Sequence, residues 1–429
     1  MNKLFKNKNF SLLISGRLIT NIGDSLYFIA ATWLAYDLGG SIFYSGLAGF
    51  LTLLPEMFAF LIGPIIDRSN LKKILVITSL MQFILILIIP ILYISDLLTV
   101  TGVLIIMPLV SLFNLFTYPA ENALLPKIVK KEDLVKANSI MAFTYQGSDL
   151  IFNAIAGVLV ATIGAISIYV FDSITFLLAI ILFASLQIPK KTKTNKTNKL
   201  NETIITYKKD LTEGIKFILN PMILSILIPL LIVNFTWSAA AVVLPEFSDR
   251  LGGAQIYGLL MTCSALGMLI GSLISEIITK KFTIGKAMII GYSISGIMWI
   301  LTVLASSVSI YLSFIFLILA GIPIGATNII YVTLFQTLPP ENMLARIAAV
   351  NESLLSAAMP LGSLIGGYIG TIIGSEFVIA SNGIAIIILS LYWLFNKKLR
   401  SLPKIDKLEN EEFITIFSKN KTHQEKYTN

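Results

Sequence analysis

The chain has 429 residues, 56% of them hydrophobic and only 13% charged, with a net charge of +8. Soluble domains carry about 25% charged residues and must cover their outside with polar groups, so this composition excludes a water-soluble globular fold. A single cysteine, Cys263, and a single histidine, His423, exclude by count disulfides, multi-cysteine or multi-histidine metal sites and a histidine-based triad.

Apolar blocks long enough to cross a bilayer core of about 30 Å as helices predict twelve spans, at 10–36, 43–66, 74–95, 101–121, 134–162, 166–188, 220–247, 255–279, 287–306, 309–336, 344–372 and 376–396. The first block, Phe10 to Tyr36, is too long for the apolar part of a signal peptide and is expected to remain as a span. It carries Arg17, Asn21 and Asp24. A carboxylate in the bilayer interior costs at least about 2.5–3.5 kcal/mol, so each one needs a reason. A carboxyl in a partly dehydrated cavity can load and release a proton near neutral pH, which makes Asp24 a proton-coupling candidate; the alternative is a permanent bridge to Arg17, two turns earlier. In helix two, Glu56 follows Pro55 and either faces a cavity or bonds to backbone freed by the proline. Glu121 and Glu352, near helix ends, are expected to bridge to Lys127 and Arg346.

Helix five holds Tyr145, Gln146 and Asp149 in YQGSDL. Asp149 is a second candidate proton or substrate site, or else an interhelical hydrogen-bond lock. Asp172 and Glu246 fall toward the outer side and are expected to be structural. Asn234, Trp237, Asn328, Gln336 and Asn351 add polar or aromatic groups to helices seven, ten and eleven. They either line a cavity or hold helices together, and Trp237 or Tyr145 can stack on a cationic or amphipathic ligand. Small residues in GLLMTCSALGMLIGS let helices approach and need no ligand.

Placing both chain ends in the cytoplasm puts the amino end, 67–73, 127–136, 189–219, 280–286, 343–346 and the tail on that side. Among all lysines and arginines, Arg250 alone then falls outside, with Arg17 inside the first span. This is the positive-inside bias, so the basic charge is read as topology and not as a nucleic-acid surface. The run KKTKTNKTNK, Lys190 to Lys199, has no apolar face and reads as a flexible linker. The expected organisation is a six-helix bundle at 1–188, a cytoplasmic linker at 189–219, a second bundle at 220–396 and a cytoplasmic tail at 397–429. The chain also repeats itself. LGGSIFYSGL from Leu38 and LGGAQIYGLL from Leu251 match at an offset of 213 residues, Gly157 and Gly164 match Gly367 and Gly374 at 210, and Gly63 matches Gly271 at 208. Two parallel repeats packed about an axis along the membrane normal enclose a central cavity that rocking opens to each side in turn.

These features resemble the major facilitator superfamily over residues from about 8 to 397. The most specific match is GPIIDRSNLKK, where Gly63, Asp67, Arg68, Lys72 and Lys73 fit the family's loop after helix two. Asn70 stands where the family has a second Gly and is expected to take its left-handed backbone; Leu71 replaces a basic residue. The resemblance implies a cytoplasmic gate, with Asp67 meeting the positive end of helix eleven and the basic residues holding carboxylates or lipid phosphates across the seam. Glu276, which follows the second-half version of this loop, is expected to gate as well. RLITNIGDSLY, FDSITF, LFQTLPPENMLARIAAVNES and PLGSLIGG are similar to the macrolide-efflux and siderophore-export branch. The arginine-centred helix-four element of other drug exporters is absent, and the Gly-Pro element of helix five is degenerate.

The fold class expected is therefore an all-α polytopic membrane protein with twelve helices in two parallel six-helix repeats. The resemblance implies a secondary active transporter without cofactor or enzymatic activity, working in the cell membrane as a monomer on protons and a small amphipathic substrate. Proton-coupled efflux of drugs or macrolide-like antibiotics is the first reading. Export of a siderophore or lysolipid, proton-coupled import of a small metabolite and a transport-inactive binding protein are the alternatives. No phosphate-binding loop is present and the soluble segments are too short for an ATPase domain, so the energy must come from a gradient.

Overall fold

The computed structural model describes residues 2–62, 65–66, 69–130, 133–188, 212, 215–216, 218–337 and 344–404. The helices that follow from the apolar blocks are α1 (Lys8–Gly39), α2 (Ile42–Leu53), α3 (Leu71–Ile94) and α4 (Val100–Asn114, continued by Thr117–Ile128). The helical run Leu134–Ala184 is broken at Gly164, with φ 79°, into α5 (134–163) and α6 (165–184). The second half contains α7 (Pro221–Asp249), α8 (Ala254–Lys281), α9 (Ile284–Ser306), α10 (Ile310–Thr337), α11 (Leu344–Ile373) and α12 (Ser375–Phe395). Short polar side chains mark the starts. Asn7, Ser41, Asn70, Thr99, Asn220 and Thr283 each accept a hydrogen bond from a backbone N–H of the first turn they precede, satisfying donors that a helix end leaves free.

Twelve helices agree with the sequence reading, and their ends fall within a few residues of it. Three local features differ. Helix two leaves α geometry at Pro55 and runs as a 3-10 helix from Leu54 to Leu61, because the proline removes a backbone donor and crowds the preceding turn. Helix four was expected to end near 121, but it breaks after Asn114 and resumes to Ile128. Asn70 is not left-handed: at φ −77°, ψ 105° it caps α3, its Oδ1 accepting from Lys73 N at 3.2 Å. The amide side chain satisfies the helix start, and a left-handed turn there is not needed.

The repeated glycines now have a physical reason. Gly40 and Gly253, related by the 213-residue offset, both have positive φ (63° and 81°), as do Gly164 and Gly374 (79° and 93°). Each lies where the chain reverses between helices, in backbone space that a Cβ disfavours.

Among the described residues, ten helices are long and apolar enough to cross a membrane. Helix α1 is not one of them, and it carries Arg17, Asn21 and Asp24 in its length. It can cross only by facing protein or water on that side, and it packs closely against α5 and α6. Within the first half α3 packs on α6; within the second, α8 packs on α10, α9 on α12 and α7 on α11. The halves meet along two seams, α2 against α11 and the Leu134–Ala184 run against α8. Large apolar side chains such as Ile91, Ile181, Leu273, Ile277 and Ile388 stay exposed around the outside, which a lipid-facing wall requires.

The two membrane faces are built differently. On the face remote from the amino end, Ser45 Oγ donates to Val242 O at 2.7 Å, Tyr36 Oη to Asp249 Oδ2 at 3.0 Å and Tyr257 Oη to Ile29 O at 3.4 Å. Trp33 stacks on Tyr257 with ring centroids 5.3 Å apart. Gly46 and Gly367 touch backbone to backbone, so that a Cβ on Gly46 would lie 2.6 Å from the Gly367 Cα. One apolar core runs through both halves at this level, from Ala30, Trp33 and Ala48 to Val242, Val243 and Phe247. A second core, with Phe10, Leu13, Leu75, Leu124, Phe183 and Leu186, belongs to the first half alone and lies at the amino-end face.

Candidate functional site

A cavity of about 600 Å³ lies between the halves. Its first-half lining includes Arg17, Asn21, Asp24, Tyr27 and Phe28 of α1, Glu56 of the 3-10 segment, Tyr118 of α4 and Tyr145 of α5. The second half supplies Trp237 of α7 and Ser353, Ser356 and Met359 of α11. Of the residues singled out from the sequence, Asn21, Asp24, Glu56, Tyr145 and Trp237 are thus brought together. Asp24 is half-buried and Glu56 exposed. Trp237 stands edge-on to Trp299 at 5.5 Å, a contact that fixes its ring.

Other candidates fall elsewhere. Asn234 Nδ2 donates to Leu355 O at 3.3 Å, joining α7 to α11, and it is not a lining residue. Asn328 is exposed and does not line the cavity either. Asn351 accepts from Tyr331 Oη at 2.7 Å between α10 and α11. The side chains of Gln146, Asp149, Gln336 and Glu352 lie outside the described residues, as do Gly63, Asp67 and Arg68 of the loop after helix two. Lys72 Nζ donates to Leu186 O at 2.7 Å and so ties α3 to the end of α6 within the first half, while Lys73 is exposed. Glu276 pairs with Lys280 one turn on, and Glu246 with Arg250 at 2.8 Å. Arg250 also reaches Glu376 at 2.7 Å, and this hydrogen-bonded carboxylate holds the guanidinium above its ordinary pKa.

Two pairings that the sequence left possible, one as the alternative role of Asp24 and one expected for Glu121, are replaced. Arg17 does not bridge to Asp24, and Glu121 does not bridge to Lys127. Instead Arg17 Nε lies 3.6 Å from Glu121 Oε2, with side chains 3% and 0% exposed. The partners are 104 positions apart, so local spacing could not reveal them. The pair is an incomplete one: Arg17 Nε and Nη1 and both Glu121 oxygens lack hydrogen bonds. The guanidinium is held by rings. Its carbon lies 4.3 Å from the Tyr145 centroid and 5.6 Å from that of Tyr118, and these rings stack on each other at 4.7 Å. Leaving one partner of a buried ion pair alone costs about 3–5 kcal/mol. A cation–π contact to a ring that is itself partly exposed returns about 0.5–1 kcal/mol, so the two rings offset part of that cost.

Asn21 is buried and bound to α5, its Nδ2 meeting Thr144 O and Tyr145 O at 3.3 Å and Ser148 Oγ at 3.0 Å. The offset that aligns the two LGG stretches places Asn234 at the same position in the second half. Both asparagines therefore perform one task, tying the first helix of a half to its fifth. The same offset sets Asp24 against Trp237 and Arg17 against Leu230.

The chain can now be set beside known proteins. The family model described as transmembrane secretion effector matches residues 3–423. The MFS-type transporter YvqJ of Bacillus subtilis is 27% identical over 419 residues, covering 94% of this chain and 96% of the relative. The multidrug efflux pump Tap of Mycolicibacterium fortuitum is 22% identical over 405 residues, with 92% and 97% covered. Among solved structures, a bacterial homologue of the human lysosomal transporter Spinster in an inward-facing, occupied conformation superposes with a TM-score of 0.70 at 14% identity, covering 92% of this chain and 98% of that one. A D-xylose–proton symporter gives 0.66 at 12% identity, with 92% and 98% covered. At such identities the superpositions speak for the fold alone, and that fold is two six-helix repeats around a cavity. A match along nearly the whole length, on that fold and around that cavity, makes the chain a member of the transmembrane secretion effector family of major facilitator superfamily membrane transporters.

Proposed function

We propose that the chain is a proton-coupled exporter of amphipathic drug-like compounds, cationic ones first. The observation that carries this reading is a single cavity in which Asp24 and Glu56 stand beside Tyr145 and Trp237. Carboxylates attract a cation and can release it on protonation, and aromatic faces bind its apolar or cationic body. A volume of about 600 Å³ suits a drug-sized ligand, and the likeness to the multidrug efflux pump Tap supports the same class.

In this reading the amino end, the linker and the tail are cytoplasmic, following the distribution of Lys and Arg, and the protein works as a monomer in the cell membrane. The loop Gly63–Lys73, with Asp67 and Arg68, gates the cytoplasmic side by family likeness. Asp24 carries the coupling proton, with Asp149 and Glu56 as further carboxyls of the pathway.

The test is ethidium efflux from cells expressing the chain, followed before and after an uncoupler, beside a susceptibility panel of dyes, macrolides and siderophores. Export predicts that the uncoupler raises retained dye and that Asp24→Asn abolishes the effect of expression while membrane insertion is kept. Uptake that collapses under the uncoupler would assign import by proton symport in its place. Normal pH-driven efflux by Asp24→Asn would remove Asp24 from the coupling role.

A further inference from the structure

Asp172 of α6 is 0% exposed and does not line the cavity. It presses on α1 at Gly23, where a Cβ would lie 2.0 Å from its Oδ1. The Thr175 hydroxyl lies 2.7 Å from the Asp172 backbone O and 3.2 Å from that oxygen, which share its one hydrogen, whereas Oδ2 has no hydrogen-bond partner among the described residues. Among the described residues, the charged group within electrostatic reach is another carboxyl, Asp24, the residue after Gly23. Arg17 on the same helix is engaged by Glu121. Among the described residues, the other titratable groups facing the site are Tyr27 of α1 and Tyr169 of α6, edge to face at 5.7 Å. Helix α3, which also packs on α6, carries no titratable side chain between Lys73 and Tyr93. An ionised carboxylate buried beside another carboxyl, with no cation among the described residues to pair it, is disfavoured by its desolvation cost, and it is held as the acid instead.

The repeat provides an internal control. At the 210-residue offset Asp172 corresponds to Asn382 of α12. Asn382 is also 0% exposed, its Oδ1 accepts from Thr236 Oγ1 at 3.0 Å, and its Nδ2 has no partner. Thr236 in turn corresponds to Gly23. The same contact between the first and sixth helix of a half is thus made by a neutral amide in one half and by an acid in the other. Packing does not require the acid.

We propose that Asp172 is a second proton-binding carboxyl of the transport cycle, sharing its titration with Asp24 across the notch at Gly23. The pair then holds one proton more than Asp24 alone, and Asp24 connects it to the cavity. This rests on the reading of Asp24 as the coupling site.

Infrared spectroscopy of the full chain in liposomes, without solute and across a pH series, tests it. The expected result is a carboxylic-acid C=O band at neutral pH that Asp172→Asn removes. Asp24→Asn should lower the pH at which that band disappears by about one unit or more, because the neighbouring negative charge is gone. The same acid absorption in wild type and Asp172→Asn would overturn the proposal, and so would a midpoint indifferent to Asp24→Asn, which marks a purely structural acid. Should Asp172→Asn fail to insert, Asp24→Asn alone carries the test: the acid band should then disappear at a lower pH than in wild type, and an unmoved midpoint counts against the proposal. No transported solute is needed, so failure of the export reading and failure of this one are separate results.

Discussion

The first six helices and the last six share one scaffold but differ in the charge they bring to the cavity. Asn21 and Asn234 make the same interhelical bond, and Gly40 and Gly253 make the same reversal. Around that shared frame the first half places Arg17, Asp24 and Glu56 on the cavity wall, and the second half places Trp237, two serines and a methionine. Where the repeat sets residues side by side, Arg17 faces Leu230, Asp24 faces Trp237 and Asp172 faces Asn382. The scaffold that the halves share therefore does not depend on these charges. The difference between the halves teaches that ionisable groups are concentrated in one half, and that the other offers an apolar and aromatic wall against which a bound solute can rest.

The largest effect is expected where the first half is given the second half's residue. Arg17→Leu should leave Glu121 buried without its cation and destabilise the protein by about 3–5 kcal/mol, read as a lower thermal unfolding temperature in detergent. Adding Glu121→Gln should recover most of the loss, and an unchanged unfolding temperature in the single variant would refute the pairing. Next in size is the seam. Gly46→Val drives a side chain into Gly367, at about 1–3 kcal/mol of overpacking. It should raise labelling of a Ser356→Cys reporter, in a Cys263→Ala background, by an impermeant thiol reagent added at the remote face. Tyr36→Phe removes one bond between halves, worth about 1 kcal/mol, and should raise the same labelling roughly fivefold; no change would deny that bond a part in the seal. The smallest effect sharpens the comparison. Asn234→Ala should cost about 0.6 kcal/mol, and Asn21→Ala more, since Asn21 meets three acceptors and Asn234 one. Equal losses would show that the two joints are alike in strength as well as in place.

Most helices were legible because they are long apolar runs bounded by charge or by glycine, and lipid enforces that pattern without reference to the rest of the fold. The departures, at Pro55 and after Asn114, are local changes inside apolar sequence, where periodicity carries little information. Asp24, Asn21, Glu56, Tyr145 and Trp237 could be named in advance because a polar group in the bilayer is expensive wherever it points. Its partner is another matter. Arg17 and Glu121 meet through the packing of α1 against α4, and Tyr118 enters only as the second ring on that guanidinium. For Asp172 a signal existed, since extending the repeat offset into the sixth helix pairs it with Asn382. An acid set against an amide at equivalent positions is visible without any coordinates.

The segment Leu54–Leu61 has a mechanical consequence. A 3-10 helix rises about 2.0 Å per residue and an α-helix about 1.5 Å, so its eight residues would shorten by about 4 Å on rewinding. Glu56 and Ala59 ride on this stretch at the cavity wall, and its neighbour is α11 of the other half. A change of winding there would draw one wall along the membrane normal, with only the carbonyl that Pro55 cannot serve left unpaired, as an extensible strut does between two plates.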